Sequence, residues 1–235
     1  MRKPKLSIVI PAYNEEQRIK ETLEQLIGYF KRQKILYEIL VMMDGCTDNT
    51  AKIVKSFKRK HIKGFSEPIR LGKGMALLKG ISLSKGEYVA YVDADGSTPP
   101  DQLLKLMEEL PRSNYSAVIG SRWMKGSVML KKQPLRRRIA SRGFNLLVRN
   151  ILGLPYKDTQ CPAKVFRGDV IRSIATYLDV SDYCIDIAIL NEMKKRDCIV
   201  EEIPIVWQDR PLSKVKVRKM APRAFITILK MWWNS

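Results

Sequence analysis

The chain has 235 residues, 45% of them hydrophobic and 29% charged, and its 43 Lys and Arg against 24 Asp and Glu give a formal charge of +19. This is the composition of a folded chain with a sizeable core, and it excludes a disordered tail. No apolar run approaches the roughly 18 residues that a membrane-spanning helix needs, and the apolar stretch 6–10 is closed by Pro11, Glu15 and Glu16 before it can serve as a signal-peptide core, which predicts a protein kept in the cytoplasm.

Short apolar runs alternate with segments of helical periodicity along the first half. Residues 6–10 read as a buried strand, and 15–32 carry Ile19, Leu23, Leu26, Ile27 and Phe30 at helical spacing. A second strand is expected over 37–43 and a helix over 47–57; the turns after the two strands either add to a site or are only turns with a helix N-cap, Asn14 or Thr47 being the cap. A third strand over 62–65 leads to a helix over 72–83, and 88–92 is a fourth strand ending in Asp93. Pro99 and Pro100 open a further helix through Leu110, and 117–120 read as a fifth strand. The rhythm predicts an α/β fold with a largely parallel sheet and ligands at the carboxyl ends of its strands.

Cys46, Cys161, Cys184 and Cys198 are scattered without a CxxC pair, and His61 is the only histidine, which speaks against a zinc site, a disulfide framework or a Ser-His-Asp arrangement. Chemistry must rest on carboxylates, cations or a metal. The basic excess is segregated: no acid lies between Glu109 and Asp158, where eleven bases occur, and none follows Asp209, where seven occur. The rest of the chain holds 25 bases against 24 acids. A neutral body with two cationic segments asks for an anionic partner, whether nucleic acid, a membrane surface or phosphate groups.

YVAYVDADGSTPPD places Asp93 and Asp95 two residues apart where the fourth strand runs out into a turn. Side chains at i and i+2 of an extended segment share a face, so both carboxylates can address one ion, and hard oxygen ligands suit Mg2+ or Mn2+ bridged to a diphosphate. A bare DxD is often only a turn; its place at the end of a buried strand is what points to a site. Arg70, Gly72, Lys73 and Gly74 form a glycine-flanked basic stretch opening a helix, where backbone N–H groups and Lys73 can meet a phosphate. The GxxxxGK[ST] spacing of a P-loop is absent, and the first strand does not lead into GxGxxG, which speaks against a dinucleotide-dependent oxidoreductase.

Together SIVIPAYNEEQRI, MDGCTDNT, RLGKGMA and VDADGST, in that order and spacing, resemble the family 2 glycosyltransferases, inverting enzymes of the GT-A fold that use a nucleotide-diphosphate sugar. The resemblance continues through AVIGSRW, RRRIASRGFNLLVRNILGL, DTQCPAKVFR, YCIDIAIL and IPIVWQDRPLSKVK and so covers nearly the whole chain. The later motifs look most like the dolichyl-phosphate sugar synthases, and RLGKGMA with DTQC looks closer to the glucosyl than to the mannosyl branch. The resemblance implies one GT-A domain over 1–235 that moves a hexose, with UDP-glucose favoured over GDP-mannose, to dolichyl or polyprenyl phosphate with inversion. It implies that Pro11, Ala12, Tyr13, Glu15 and Asp44 hold the nucleoside, that Lys73 lies near the nucleotide, that Asp93 and Asp95 bind metal and diphosphate, and that Asp186 faces the reaction centre. The family usually carries two adjacent aspartates at the second strand end; here Met43 stands in the first of those places.

Near 131–154 and again over 214–235 the basic residues are interleaved with Leu135, Ile139, Phe144 and Leu147, then with Phe225, Ile228, Trp232 and Trp233. Basic helices carrying tryptophan and bulky apolar residues suit the anionic interface of a membrane, here its cytoplasmic face, where a polyprenyl phosphate presents its headgroup. The plainer reading is an apolar face packed on the sheet. A phosphate is already a nucleophile at neutral pH and needs no strong general base, but two anions meeting need positive charge between them. Arg138, Arg142, Arg210 and Lys214 are the candidates for that charge, Arg138 and Arg142 sharing a helix face as a clamp, with Ser141 beside them for the acceptor phosphate. Two other readings stay open. One is a nucleic-acid-binding protein, although the basic run lacks interleaved stacking aromatics and any reading motif; the other is a family 2 transferase with a saccharide or diphospholipid acceptor.

Overall fold

A computed structural model of the chain describes residues 3–131, 135–210 and 217–233, with the backbone alone for 136, 137 and 217–223. The buried runs of the first half become neighbouring parallel strands. β1 (Leu6–Ala12) lies between β2 (Tyr37–Asp44) and β4 (Tyr88–Tyr91), and β3 (Ile62–Glu67) extends the sheet beyond β2. Among the described residues the sheet has seven strands in the order β3-β2-β1-β4-β7-β5-β8, completed by β5 (Ala117–Ser121), β7 (Lys164–Arg167) and β8 (Val200–Pro204). β7 runs antiparallel to both β4 and β5, the exception to an otherwise parallel sheet. A separate parallel pair joins β6 (Val128–Lys131) to β9 (Val206–Gln208).

Side chains alternate across the sheet and fill two layers, as expected of strands buried on both faces. Ile8, Ile10, Ile39, Val41 and Met43 pack with α1 (Ile19–Arg32), α2 (Thr50–Ser56) and α4 (Pro100–Glu109). Val9, Leu40, Met42 and Tyr91 face α3 (Lys73–Leu83), α6 (Gly168–Ala175) and α7 (Ile185–Lys195). Met43 is thus a core side chain. A third cluster gathers Val148 and Leu152 of α5 (Leu135–Leu152), Ile187 and Leu190 of α7 and Ile228 of α8 (Val217–Trp233).

Two expected helix starts move. α1 begins at Ile19, because residues 15–18 form a turn in which the Arg18 and Ile19 amides both donate to the Glu15 carbonyl. α2 begins at Thr50, whose amide and hydroxyl both donate to Asp48 Oδ1. Asn14 and Thr47 are therefore not the caps of their own helices. Asn14 stands at φ 55 and accepts the Thr47 amide at 2.8 Å through Oδ1, so it ties the turn after β1 to the turn after β2. β1 also runs past the expected stop at Pro11, which is tolerated because β1 pairs with β4 only up to Val9, leaving that edge of Pro11 without a ladder to break.

Gly80 tests how tightly α3 seats on the sheet. On helix propensity alone Gly80→Ala would stabilise by about 1 kcal/mol. An added Cβ, however, would stand 2.3 Å from Val9 Cγ1 and 2.9 Å from Met42 Cγ. Overpacking of this kind costs about 1–3 kcal/mol, so urea denaturation should find Gly80→Ala less stable than the wild type.

Candidate active site

The carboxyl ends of β1, β2 and β4 open on one cavity of 490 Å3, whose far wall is made by α5, α7, α8 and the residues around β9. Pro11, Ala12, Tyr13, Glu15, Asp44, Lys73, Asp93, Asp95, Asp186, Ser141 and Arg210 all line it. Residues scattered over some 200 positions of sequence meet there because parallel strands deliver their following turns to the same edge of the sheet.

At one end the loop before α3 is pinned to the end of β2. Both oxygens of buried Asp44 are engaged, Oδ1 by the Leu71 amide at 2.6 Å and Oδ2 by the Gly72 amide at 2.9 Å. Gly45, at φ 63, allows the approach: a Cβ there would lie 2.6 Å from the Arg70 nitrogen. The loop so held lays the Arg70 guanidinium over the Tyr13 ring, 3.8 Å from its centroid. Glu15 is bound in a two-pronged pair by Arg18, at 2.7 and 2.8 Å.

At the centre, acids and bases alternate. Lys73 Nζ lies 2.8 Å from Asp93 Oδ1 and 3.9 Å from Asp186 Oδ2. Asp186 Oδ1 accepts the Tyr91 hydroxyl at 2.5 Å and the Lys164 ammonium at 2.6 Å. Asp95 Oδ1 accepts the Ser97 amide at 2.9 Å, while Arg18 stands 3.9 Å from Oδ2. Burial pushes Asp186 up, but the charges of Lys164 and Lys73 and the bonds from Lys164 and Tyr91 outweigh it and hold the carboxyl below its ordinary range. Asp95 moves the other way, raised by burial and by the neighbouring Asp93 charge. Lys73, despite its own burial, is held protonated by Asp93 and Asp186.

Two hard carboxylates with converging charge, one of them destabilised in its ionised form, are a donor set that a divalent cation would satisfy. Among the described residues no three His, Cys, Asp or Glu side chains gather as a metal cluster. Asp93 and Asp95 would supply two carboxylates to such an ion, and Asp93, 37% exposed, is open to the cavity.

The acceptor end differs from the sequence expectation. Ser141 lines the cavity together with Ala140 and Phe144, but Arg138 and Arg142 do not. Arg142 lies about 200° around the helix from both Ala140 and Phe144, in the exposed row Leu135, Ile139 and Leu146, with its guanidinium over the Trp123 ring at 4.7 Å. Arg138 lies one turn before Ser141, and its buried Nε has no hydrogen-bond partner among the described residues. Arg210 reaches the cavity and pairs with Glu21 at 3.2 Å. Lys214 lies outside the described residues.

The sequence reading missed three cations. Arg122 lines the cavity directly after β5 and pairs with Asp158 at 2.7 and 2.9 Å. Arg18 joins Glu15 to Asp95, and Lys164 underlies Asp186. Arg122 was within reach, since it follows a strand end in AVIGSRW; Arg18 and Lys164 carry no local signal that sets them apart from surface bases.

The profile of glycosyl transferase family 2 matches residues 7–175. A dolichyl-phosphate beta-glucosyltransferase of Trichomonas vaginalis is 35% identical over 93% of this chain and 68% of its own length. The human dolichyl-phosphate beta-glucosyltransferase is 30% identical over 89% of this chain and 69% of its length. Among solved structures, glucosyl-3-phosphoglycerate synthase from Mycobacterium tuberculosis, in complex with Mn2+, uridine diphosphate and glucosyl-3-phosphoglycerate, superposes with a TM-score of 0.70 at 20% identity, covering 97% of this chain and 80% of that one. Mannosyl-3-phosphoglycerate synthase from Rubrobacter xylanophilus gives a TM-score of 0.74 at 17% identity over 99% of this chain and 76% of that one. The GT-A fold expected from the motifs is the fold of these structures, and with a family match over most of its length the chain belongs to glycosyl transferase family 2.

Proposed function

We propose that this enzyme transfers a hexose, glucose from UDP-glucose in the favoured reading, to a dolichyl or other polyprenyl phosphate with inversion at the anomeric carbon. The observation that carries the proposal is the one cavity that brings together Asp93 and Asp95, Arg210, whose guanidinium lies next to the Gly96 turn that follows Asp95, and Arg122 and Ser141, with a helix bearing exposed apolar residues along its wall. The dolichyl-phosphate glucosyltransferase relatives support the acceptor.

In this reading Tyr13, Arg70 and the Asp44-pinned loop receive the nucleoside, with Pro11, Ala12 and Glu15 around it. Lys73 is placed by the first turn of α3 to meet the donor phosphates. Asp93 and Asp95 hold Mg2+ or Mn2+, which when bound neutralises charge on the departing nucleotide. Arg210 and Ser141 receive the acceptor phosphate, and the positive charge of Arg210 lets that anion approach the donor. Asp186, kept ionised, sets the field at the junction of the two halves.

The membrane surface is approached through α5 and α8. Both helices bury one apolar face, through Val148, Leu152 and Ile228, yet also turn Leu135, Ile139, Leu146, Phe225, Ile226, Leu229, Trp232 and Trp233 outward, Trp233 at 83% exposure. Among the described residues no helix is long and apolar enough to cross a membrane. An outward row of tryptophan and aliphatic side chains flanked by Lys131, Arg142 and Lys230 suits peripheral binding to an anionic leaflet, proposed to be the cytoplasmic one.

Product analysis decides the reaction. Incubated with polyprenyl phosphate and radiolabelled UDP-glucose or GDP-mannose in parallel, the enzyme should place label in a β-linked lipid phosphate from UDP-glucose; label in neither lipid product would refute the acceptor. Asp95→Asn should abolish turnover without lowering the melting temperature, and EDTA should silence the wild type until Mg2+ or Mn2+ is restored. Full activity in chelator would rule out metal assistance.

Arg210 and Arg142 should separate. Arg210→Ala should raise the KM for the lipid phosphate or lower turnover by the equivalent of about 1.5–3 kcal/mol for one lost charged hydrogen bond, with nucleotide affinity unchanged. Arg142→Ala should weaken sedimentation with anionic liposomes, most visibly at low salt, and removal of Trp232 and Trp233 should weaken it further. Equal small rises in lipid-phosphate KM in both variants would move the phosphate site away from Arg210.

A further inference from the structure

Beneath the cavity the sheet buries a cation to which the reaction above gives no task. Lys164, at the first position of β7, is 0% exposed and sits opposite Tyr91 in the antiparallel register of β4 and β7. Its ammonium donates to Asp186 Oδ1 and to the Cys161 carbonyl, and lies 5.6 Å from the centre of the Tyr91 ring. The Tyr91 hydroxyl donates to the same Oδ1. An apolar pair of similar volume usually serves a core as well as a buried ion pair does, so packing alone does not account for Lys164.

The geometry on the other side of Asp186 does. With Oδ1 occupied twice, Oδ2 is directed toward Lys73, 3.9 Å away. Lys73 is meanwhile bonded to Asp93 at 2.8 Å, so one ammonium stands between two carboxylates. An oxygen engaged by an ammonium is a poor ligand for a divalent cation. Asp93 must let go of Lys73 to serve one, and until the donor phosphates reach it this largely covered ammonium, 16% exposed, needs another partner.

We propose that Lys164 is a positioning residue which, with Tyr91, fixes Asp186 as a second seat for Lys73, so that Asp93 is released to the divalent cation and the donor diphosphate. This rests on the reading of Asp93 and Asp95 as the metal carboxylates. The exchange moves no proton: Lys73 shifts from Asp93 toward Asp186 as the arriving cation replaces its charge beside Asp93. Lys164 touches neither donor nor acceptor and acts only through Asp186.

The test is Mn2+ binding in the presence of UDP, read from the electron paramagnetic resonance signal of free Mn2+, with thermal melting alongside. The full chain is compared with Tyr91→Phe, with the charge-neutral pair Lys164→Met/Asp186→Asn, and with Asp95→Asn. The double variant should melt close to the wild type yet bind Mn2+ about tenfold more weakly, the scale of losing an outer-shell partner of a metal ligand. Tyr91→Phe should weaken binding in the same direction by less. Wild-type Mn2+ affinity in the double variant, with Asp95→Asn defective, overturns the positioning role and leaves the metal site standing. A double variant that cannot fold also overturns it, because the ion pair then belongs to the core. Wild-type affinity in Asp95→Asn overturns the metal site and this inference with it.

Discussion

Six carboxylates line the cavity, and its centre is organised by the need to compensate four of them, Asp44, Asp93, Asp95 and Asp186. Asp44 arrives at the end of β2 and Asp93 and Asp95 on the turn after β4, the two strands that flank β1, and Asp186 arrives on the first turn of α7. Each is compensated differently. Asp44 is compensated by two backbone N–H groups, Asp186 by two lysines and a tyrosine, and Asp93, among the described residues, by Lys73. Asp95 receives one amide and a distant arginine, and burial and the neighbouring Asp93 charge disfavour its ionised form. The unmet negative charge therefore collects at the Asp93 and Asp95 pair, where the proposed cation enters.

The two halves of the cavity have different mechanical footing. The donor side is built from turns tied to each other: Asn14 bonds across to Thr47, Asp44 holds the loop before α3, and the Gly74 amide donates to Ser181. Gly72 and Gly74 have no room for a Cβ, which would fall 2.1 Å from the Ser181 oxygen and 1.8 Å from the Val180 oxygen. That contact seats the start of α3 against the segment leading into α7, so Lys73 and Asp186 are held in register by backbone. The proposed acceptor side is made by helices α5 and α8, which pack on each other and, through Val148, Leu152 and Ile228, in one cluster with α7 and Ile119 of β5. α8 is nevertheless tied to the same segment: Thr227 donates to Asp182, whose other oxygen accepts the Cys184 amide at the start of α7. The surface-facing helix and the reaction centre are two hydrogen bonds apart.

The sequence was readable where local rules and tertiary demand agree. Buried runs such as Ile39 to Met43 have little choice but to be strands, and the acids and glycines that follow them must lie at one sheet edge once the sheet is parallel. It was misleading where tertiary bonds override local ones: Asn14 and Thr47 have the right side chains to cap helices and instead bond to each other across two turns. β7 was unreadable because Lys164, a residue that ordinarily argues for a surface, is wholly buried by its pairing with Asp186. On α5 the i, i+4 spacing of Arg138 and Arg142 was visible, but which face turns to the cavity was not. That choice was made by Asn145, Val148 and Leu152, whose burial directs Arg142 to the outside.

The same arrangement bears on the kind of acceptor. A hydroxyl acceptor gives up a proton as it attacks, and an efficient base has a pKa near the working pH. Asp186 is the carboxylate best placed between donor and acceptor sides, but two cations and a tyrosine hydroxyl hold its pKa below the ordinary carboxyl range, which makes it a weak base. His61 is packed on Tyr37 at the start of β3 and lies outside the cavity wall. A phosphate acceptor removes the difficulty, since its oxygen is already anionic and what it requires is cationic guidance. In the proposed reading Arg210 and Arg122 on the wall would provide it, and the outward apolar residues of α5 and α8 would be the place from which a phosphate on a lipid chain enters.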